Sequence, residues 1–193
     1  FCMNPNGEVV QENYSGIATV NGHSYANYKT PNTNFALLVS EKFTEPFKEP
    51  IQYGQHIARL ANMLGGGILV QRFGDLLDGR RSTPERIASS VITPTLTCAT
   101  PGDLSLVIPY RQMTSIIEML QALDKIAPGT ASRYTLLYGI EVKFYSARGK
   151  LTKELETEGV KNLFTIGDGA GVTRGLLQAS ASGVYVARTI CER

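Results

Sequence analysis

Residues 161–175 read Lys-Asn-Leu-Phe-Thr-Ile-Gly-Asp-Gly-Ala-Gly-Val-Thr-Arg-Gly, and the interpretation of the whole chain starts from them. The apolar run at 163–166 is typical of a short strand that is covered on both faces. Gly167, Gly169 and Gly171 follow, and glycines allow tight backbone angles and the close approach of a ligand. A helix is expected next, so that its first N–H groups and its dipole favour an anion in the turn. The pattern predicts a strand, a glycine-rich turn and a helix that hold a phosphate or a nucleotide.

The predicted helix runs to Ile190 and carries small residues at every fourth position, namely Gly175, Ala179, Gly183 and Ala187. These residues lie on one slanting stripe of the helix, where a backbone or a flat ligand can come near. A glycine inside a helix costs roughly 1 kcal/mol relative to alanine, so two of them indicate a packing requirement. Close packing of an ordinary helix on a sheet is the simpler interpretation, and contact with a ligand is the alternative.

The position of the motif in the chain restricts its role. A glycine-rich strand–turn–helix normally opens a dinucleotide-binding fold and is followed by further strands, whereas here only three residues follow Ile190. We therefore expect the strand to close a sheet whose other parallel strands come from earlier residues or from a segment outside this chain. Because the chain begins with Phe1 rather than Met, we also expect it to be a piece of a longer protein.

The composition is ordinary for a globular protein of 193 residues, with 42% hydrophobic and 19% charged residues. A net charge of +2 gives no support for nucleic acid or an anionic membrane as a partner, and no apolar run approaches the ~20 residues of a membrane span. Cys2, Cys98 and Cys191 are widely spaced, and His23 and His56 lie outside any metal motif. We expect free thiols, a cytoplasmic location and no metal site.

The remaining sequence predicts short strands and two long helices, an α+β fold of mixed sheets with packed helices. Strands are predicted at 8–11, 16–20, 35–40, 68–71, 91–97, 104–108 and 134–145. Helices are predicted at 53–64, 84–89 and 110–126. Asn-Gly dipeptides such as Asn21-Gly22 suggest hairpins among the first strands. Arg80 and Arg81, in the polar segment 74–83, either meet an anionic part of a ligand or lie on a solvated surface.

Motifs along the whole chain carry a family resemblance. Residues 162–190 resemble the C-terminal FAD motif of flavoproteins with the glutathione-reductase type of FAD fold, in which a strand ends in Gly-Asp and a glycine-rich turn leads into a long helix. More narrowly, the chain resembles the C-terminal part of the FAD-dependent, or NAD(FAD)-utilising, dehydrogenases. The matching motifs are Phe1-Cys2-Met3 with Pro5 and Gly7, Asn21-Gly22 with Ser24-Tyr25, Gln71-Arg72 with Gly74-Asp75, Pro94-Thr95, Pro101-Gly102-Asp103-Leu104-Ser105, Tyr138-Gly139 with Glu141-Val142-Lys143-Phe144, and Gly167-Asp168-Gly169-Ala170-Gly171. Among these motifs, the last is the one specific to flavin binding.

The resemblance implies that FAD is the cofactor. The cofactor-binding residues that it implies are Gly167, Asp168, Gly169, Ala170, Gly171, Thr173, Arg174 and Gly175. By this resemblance, the Asp168 carboxylate accepts hydrogen bonds from a ribityl hydroxyl or from phosphate-bound waters. The start of the helix would face the pyrimidine edge of the flavin, where its dipole stabilises negative charge on the reduced ring.

Two features depart from the family pattern. The opening motif of the family has a second Cys and a Gly where this chain has Asn4 and Asn6, so Cys2 has no disulfide partner beside it. The chain also lacks a Gly-x-Gly-x-x-Gly after a strand, the fingerprint that holds the ADP half of FAD in the family. We therefore expect a fragment that lacks the N-terminal FAD-binding segment, binds FAD weakly or not at all, and is inactive alone.

The leading hypothesis is a fragment of a flavin-dependent dehydrogenase that transfers hydride between an unknown small substrate and FAD, with NAD(P) as a candidate electron partner. Residues 1–155 would form a substrate-side or cap domain, and residues 160–193 the C-terminal element of the FAD-binding domain. The candidate lining residues are Cys2, His23, Arg72 and Glu141, and no catalytic base is assigned. The alternative is a stand-alone, non-catalytic ligand-binding or interaction module. A transferase with a nucleotide-bearing donor is a third interpretation, which the terminal position of the motif disfavours.

Overall fold

The computed structural model describes residues 3–142, 149–173 and 175–192. These residues form a mixed α/β structure with small sheets and five α-helices in the described ranges, so the mixed class expected from the sequence is confirmed. The chain divides into two units, Phe1–Val142 and Lys143–Arg193. The assignment of residues 1–155 to a cap domain and 160–193 to an FAD-binding domain concerns function and stays a prediction.

The elements of the first unit are short, apart from two helices. In chain order they are β1 (Met3–Asn4), β2 (Glu8–Tyr14), β3 (Ile17–His23), β4 (Asn34–Phe35), α1 (Pro50–Gly65), β5 (Leu69–Arg72), α2 (Phe73–Leu77), α3 (Pro84–Ala88), β6 (Thr100–Pro101), a 3-10 helix (Leu104–Leu106), α4 (Tyr110–Asp124) and β7 (Leu136–Gly139). The second unit contains a 3-10 helix (Asp168–Ala170) and α5 (Leu176–Cys191).

Strands β2 and β3 form the antiparallel hairpin that the sequence predicts, but the turn lies elsewhere than expected. The turn residues are Ser15 and Gly16, with φ of 51° and 80°. Positive φ at both central residues gives a turn whose twist matches that of the flanking strands. The Asn21-Gly22 dipeptide lies inside β3 and pairs with β2.

Strand β5 is the centre of a three-stranded sheet in the order β6-β5-β7, parallel to β6 and antiparallel to β7. Leu69, Val70 and Gln71 are all buried. This agrees with the strand predicted at 68–71. Because β6 has two residues and β7 has four, the backbone ladder of this sheet contributes few hydrogen bonds to the fold.

The three predicted helices form as α1, α3 and α4. Helix α1 ends where Gly66 adopts a φ of 69°, and the hydroxyl of Thr83 accepts a hydrogen bond from the Arg86 N–H at the start of α3. On α4, Met113 and Leu120 are buried as the apolar stripe predicts. Ile126, the last residue of that predicted stripe, is exposed because α4 ends at Asp124.

Three predicted strands are wrong. Residues 91–97 contain no strand, and the strand predicted at 35–40 ends at Phe35. Residues 104–108 begin as a 3-10 helix, in which the Asp103 carboxylate accepts a hydrogen bond from the Ser105 N–H. Leu104 and Val107 are nevertheless buried. A short apolar run thus marked core residues correctly, but periodicity over five residues does not separate a strand from a helical turn.

The core of the first unit forms where α1, α4 and the central sheet pack together. The buried residues of this cluster are Ala61, Leu69, Phe73, Leu76, Leu104, Val107, Met113, Leu120 and Ile140. The hairpin joins the same unit through the Val20 N–H, which donates a hydrogen bond of 3.1 Å to the Ile140 carbonyl. The strand predicted at 134–145 is confirmed over Leu136–Gly139, and residues 143–145 lie outside the described residues.

In the described part of the second unit, little regular structure precedes α5. Isolated bridges pair Leu151 with Thr157 and Glu156 with Phe164. The prediction of a strand covered on both faces at 163–166 is wrong, because this segment makes one bridge and Leu163 and Ile166 are each 47% exposed. None of the helices in the described ranges has the length and apolar character needed to cross a membrane.

Burial raises the pKa of Tyr138 to about 12, from an ordinary value of 10.0, and a hydrogen bond with the backbone of Thr95 opposes this shift in part. The phenol is therefore favoured in its neutral form by the folded state. A raised pKa in the folded state gives stability that is fully present below the unfolded pKa near 10 and is lost as the pH rises towards 12.

We predict that the free energy of unfolding falls by up to about 1.4 kcal/mol per pH unit between pH 10 and 12 because of Tyr138. Tyr138→Phe removes this titration, so the difference in stability between the variant and the parent should change with pH in that window and stay constant between pH 7 and 9. Urea denaturation at each pH measures both proteins. Parallel stability curves from pH 9 to 12 would contradict the prediction.

Candidate functional site

Two of the glycines in the predicted cradle are required by the backbone of the turn. Gly167 and Gly171 have φ of 73° and 70° and flank the 3-10 helix Asp168–Ala170. Side-chain-bearing residues disfavour this region of φ, whereas glycine adopts it readily. These two glycines therefore have a structural reason to be present, with or without a ligand.

The backbone conformation does not require glycine at Gly169, which lies between these two residues. Its φ lies outside the left-handed region, and a Cβ added to it would meet no heavy atom within 4 Å among the described residues. Asp168 beside it is exposed. Within the described ranges, neither backbone conformation nor packing explains glycine here, so the main chain at Gly169 is open to the approach of another molecule.

The turn is anchored to α5 by Ser182, which is buried. The Gly167 N–H donates a hydrogen bond of 3.0 Å to the Ser182 hydroxyl, and this hydroxyl donates one of 2.7 Å to the Ala179 carbonyl. The Ser182 side chain thus accepts a hydrogen bond from the turn and donates one to the backbone of α5. These two bonds fix the position of the glycine-rich turn relative to α5.

The acid of the turn is joined to the chain just before α5. The Thr173 hydroxyl donates a hydrogen bond to the Asp168 carboxylate. Helix α5 has Gly175 as its N-cap, with no side-chain cap and no acid in its first turn. Its first N–H groups and its dipole therefore favour negative charge at this end. Arg174, which the family resemblance assigns to the same place, lies outside the described residues.

The stripe of small residues on α5 is partly covered by the second unit itself. A Cβ added at Gly183 would lie 3.6 Å from the Ile166 Cδ1, and one added at Gly167 would lie 3.7 Å from the Ala179 Cβ. Ala187, further along the stripe, is exposed. Close packing explains the middle of the stripe, which is the simpler of the two interpretations, and its end remains uncovered.

Large apolar side chains on both sides of the turn are exposed. Leu163 and Ile166 precede it, and Leu176 and Leu177 start α5 with 91% and 81% of their surface exposed. We call these four residues the exposed apolar set. Apolar side chains that would be expected in a core are thus exposed to water on both sides of the turn.

The other candidate residues stand on separate elements of the first unit. His23 is exposed at the end of β3, with its ring 6.0 Å from the ring of Tyr25. Arg72 ends β5 and places its guanidinium 5.2 Å from the centre of the Tyr134 ring. Glu141 is half-buried after β7, and Cys2 lies outside the described residues. In the described ranges, His, Cys, Asp and Glu side chains form no group of three or more that could hold a metal ion.

The structure reveals a buried polar network that the sequence reasoning missed. Asp75 is buried, and its carboxylate accepts hydrogen bonds from the Arg80 Nε at 2.9 Å and from the Ser82 hydroxyl at 2.8 Å. The Ser82 hydroxyl in turn accepts one from the Arg72 N–H. The segment 74–83 therefore folds back onto the end of β5, and the half-exposed Arg80 is an ion-pair partner of Asp75.

Gln71 ties two further loops to the same strand. Its amide oxygen accepts a hydrogen bond of 2.8 Å from the Leu104 N–H, and its amide nitrogen donates one of 2.9 Å to the Arg80 carbonyl. The motif Gln71-Arg72 with Gly74-Asp75, one of those that carry the family resemblance, therefore has a structural role. The sequence does show that Gln71 and Asp75 lie on either side of the end of an apolar strand. This position alone does not indicate that their polar side chains are buried.

Residues 1–144 match a family described as "FAD-dependent protein, C-terminal domain-like". The chain belongs to this family. The match covers the first unit with its buried polar network, so the expectation of an FAD-dependent family is confirmed. The segment 167–175 lies beyond the matched range.

An uncharacterised protein of Clostridium beijerinckii is 32% identical to the chain over 205 aligned residues, which cover all of the chain. The chain spans 37% of the length of this relative. The alignment therefore includes the glycine-rich turn and α5 of this FAD-dependent family member.

We predict that Asp75→Ala lowers the free energy of unfolding of this FAD-dependent family member by about 2–3 kcal/mol. The substitution leaves the buried Ser82 hydroxyl without its acceptor and removes the buried partner of the Arg80 Nε, and a buried polar group without a partner costs about 1–3 kcal/mol. Urea denaturation followed by circular dichroism measures the change.

The matched control is Asp78→Ala, because Asp78 pairs with Arg80 at 3.1 Å and with Arg133 but is one-third exposed, and both of its partners are also exposed in part. An exposed pair contributes about 0–1 kcal/mol, so this variant should lose clearly less stability. Equal losses in the two variants would show that burial does not set the strength of the network.

Proposed function

We propose that this chain is part of a flavin-dependent oxidoreductase in which the turn at 167–175 holds FAD. The observation that carries the proposal is the open main chain at Gly169, beside an α5 start that has no side-chain cap. Membership of an FAD-dependent family supplies the cofactor. Helix N-termini that follow glycine-rich turns are a common place for the phosphate or electron-rich part of a nucleotide.

The residues of the turn fit the ribityl and pyrophosphate part of FAD. The backbone around Gly169 allows close approach, and the exposed Asp168 carboxylate, oriented by the Thr173 hydroxyl, would accept a hydrogen bond from a ribityl hydroxyl. The start of α5 would stabilise negative charge on the bound group. When bound, FAD supplies a ring that exchanges a hydride with a small substrate, and we extend the proposal to NAD(P) as the second electron carrier.

The exposed apolar set supports the second half of the proposal, that the site is completed by another segment of a longer protein. The Clostridium relative is such a longer protein, since the chain spans 37% of it. Four exposed side chains around one turn are unfavourable in water, and covering an aliphatic side chain contributes about 1.5–3 kcal/mol. We propose that the covering segment carries the grip on the ADP half of FAD, and that the first unit faces the substrate.

We predict that Gly169→Ala weakens the binding of FAD about tenfold, which corresponds to ~1.4 kcal/mol, in the longer protein that contains this chain. The added methyl group enters the space that the proposal assigns to the cofactor. Because it meets no atom of the described residues, the substitution should not change the stability of the protein. Quenching of FAD fluorescence on titration measures the affinity, and the visible spectrum of the purified protein measures the flavin content.

Gly67→Ala is the matched control, because a Cβ there would meet Gln11 Oε1 at an ordinary 3.7 Å in the first unit, and it should leave the affinity unchanged. We expect the isolated chain to bind FAD much more weakly than the longer protein. Tight stoichiometric binding by the isolated chain would refute the incomplete site. If the purified longer protein contained no FAD and bound none, the result would instead favour the alternative of a non-catalytic ligand-binding or interaction module.

A further inference from the structure

The first unit contains an open cleft of about 1330 Å³ that the proposed FAD site does not use. Its walls are the segment 41–49, the first half of α1 and the start of α4. On α1, Gln52, Gln55, His56 and Arg59 follow the spacing i, i+3, i+4, i+7, so they share one face of the helix, and this face lines the cleft. Concave surfaces that combine aromatic side chains with a few charged groups are typical of small-molecule sites.

Aromatic side chains form one wall of the cleft. The ring of Phe43 lies 5.2 Å from that of Tyr53 and 6.4 Å from that of Phe47, measured between ring centroids. Phe47 is 71% exposed although it lies in this cluster. An uncovered aromatic surface inside a concavity provides a platform on which a flat ring can stack.

The charge of the cleft is the second feature. The charged residues on its lining are Lys42, Lys48, Arg59 and Arg111, against Glu41 and Glu49. Lys48 approaches Glu45 at 3.7 Å at the rim, between two exposed side chains. Arg59 and Arg111 form no ion pair in the part of the chain that the structure describes. The cleft therefore has an excess of positive charge and two guanidinium groups available to an anion.

We infer that this cleft binds a small aromatic anion: a flat ring that stacks on the Phe43–Phe47–Tyr53 cluster and carries a phosphate or carboxylate that pairs with Arg111. The first turn of α4, which carries Arg111, also lines the cleft and has neither an acid nor a side-chain cap, so it adds to the preference for negative charge. Helix α1 follows the acidic N-cap residue Glu49 and does not add to this preference. The ring platform and the unpaired guanidinium groups specify the ligand class, since each alone would suit a ligand of a different kind.

Calorimetric titration of the full chain at low salt tests the inference with AMP, 1-naphthoate, adenosine and inorganic phosphate as probes. AMP carries a ring with a phosphate, and 1-naphthoate carries a ring with a carboxylate. We expect at least one of these two to bind saturably, and at least tenfold more tightly than adenosine or phosphate, which each lack one of the two features. The stronger of the two identifies the anionic group. Failure of both to bind would overturn the inference.

Two variants locate the binding. Arg111→Gln removes a charge, and Phe47→Ser removes an exposed ring, so each should weaken the bound probe at least fivefold without loss of helix content by circular dichroism. Lys125→Gln is the matched control, because it removes an exposed charge just beyond the far end of α4, and should leave the affinity unchanged. Binding that is equal in the parent, Arg111→Gln and Phe47→Ser would show that the probe lies elsewhere and would overturn the inference.

Discussion

The buried amide of Gln71 is the interaction on which the first unit depends. Strand β5 has four residues and its neighbours have two and four, so the sheet alone offers little to hold the surrounding loops. The amide bonds to Leu104 and to Arg80, and it brings the apolar run at 104–108 into the core from one side and the Asp75 network from the other. Buried polar groups that are fully satisfied specify one arrangement, because any other arrangement leaves them without partners.

The sequence was informative where a long periodic pattern was present. The helices α1 and α4 extend over 16 and 15 residues, long enough for a stripe such as Met113 and Leu120 to repeat several times and exclude other periods. The strands were harder because they are short. Leu104 to Ile108 is as apolar as a buried strand, yet its shape is set by the Asp103 carboxylate, which holds a helical turn, and by Gln71, 33 residues away along the chain.

The glycine-rich turn shows a different boundary between prediction and structure. Its local geometry, with positive φ at Gly167 and Gly171 and a helix from Leu176, follows from the glycines themselves. The strand character of 163–166 does not, because a strand needs partners on its edges and the described residues supply a single bridge. The apolar pattern of 163–166 thus indicates that the segment is suited to a buried strand. It does not indicate that the partner strands belong to the same chain.

The two units consequently differ in how their apolar side chains are used. In the first unit the residues predicted to be core largely are core, as with Leu69 and Leu120, while in the second unit Leu163, Ile166, Leu176 and Leu177 are exposed. Under the proposed function, one event would complete both the fold and the site, because a segment that covers these side chains also lies beside the open backbone of Gly169. Burial of even half of that apolar surface would contribute several kcal/mol, at about 25 cal/mol per Å², which is comparable to the binding energy that a weak cofactor site requires. Cofactor affinity and the stability of α5 would then rise and fall together, since both depend on the same contact.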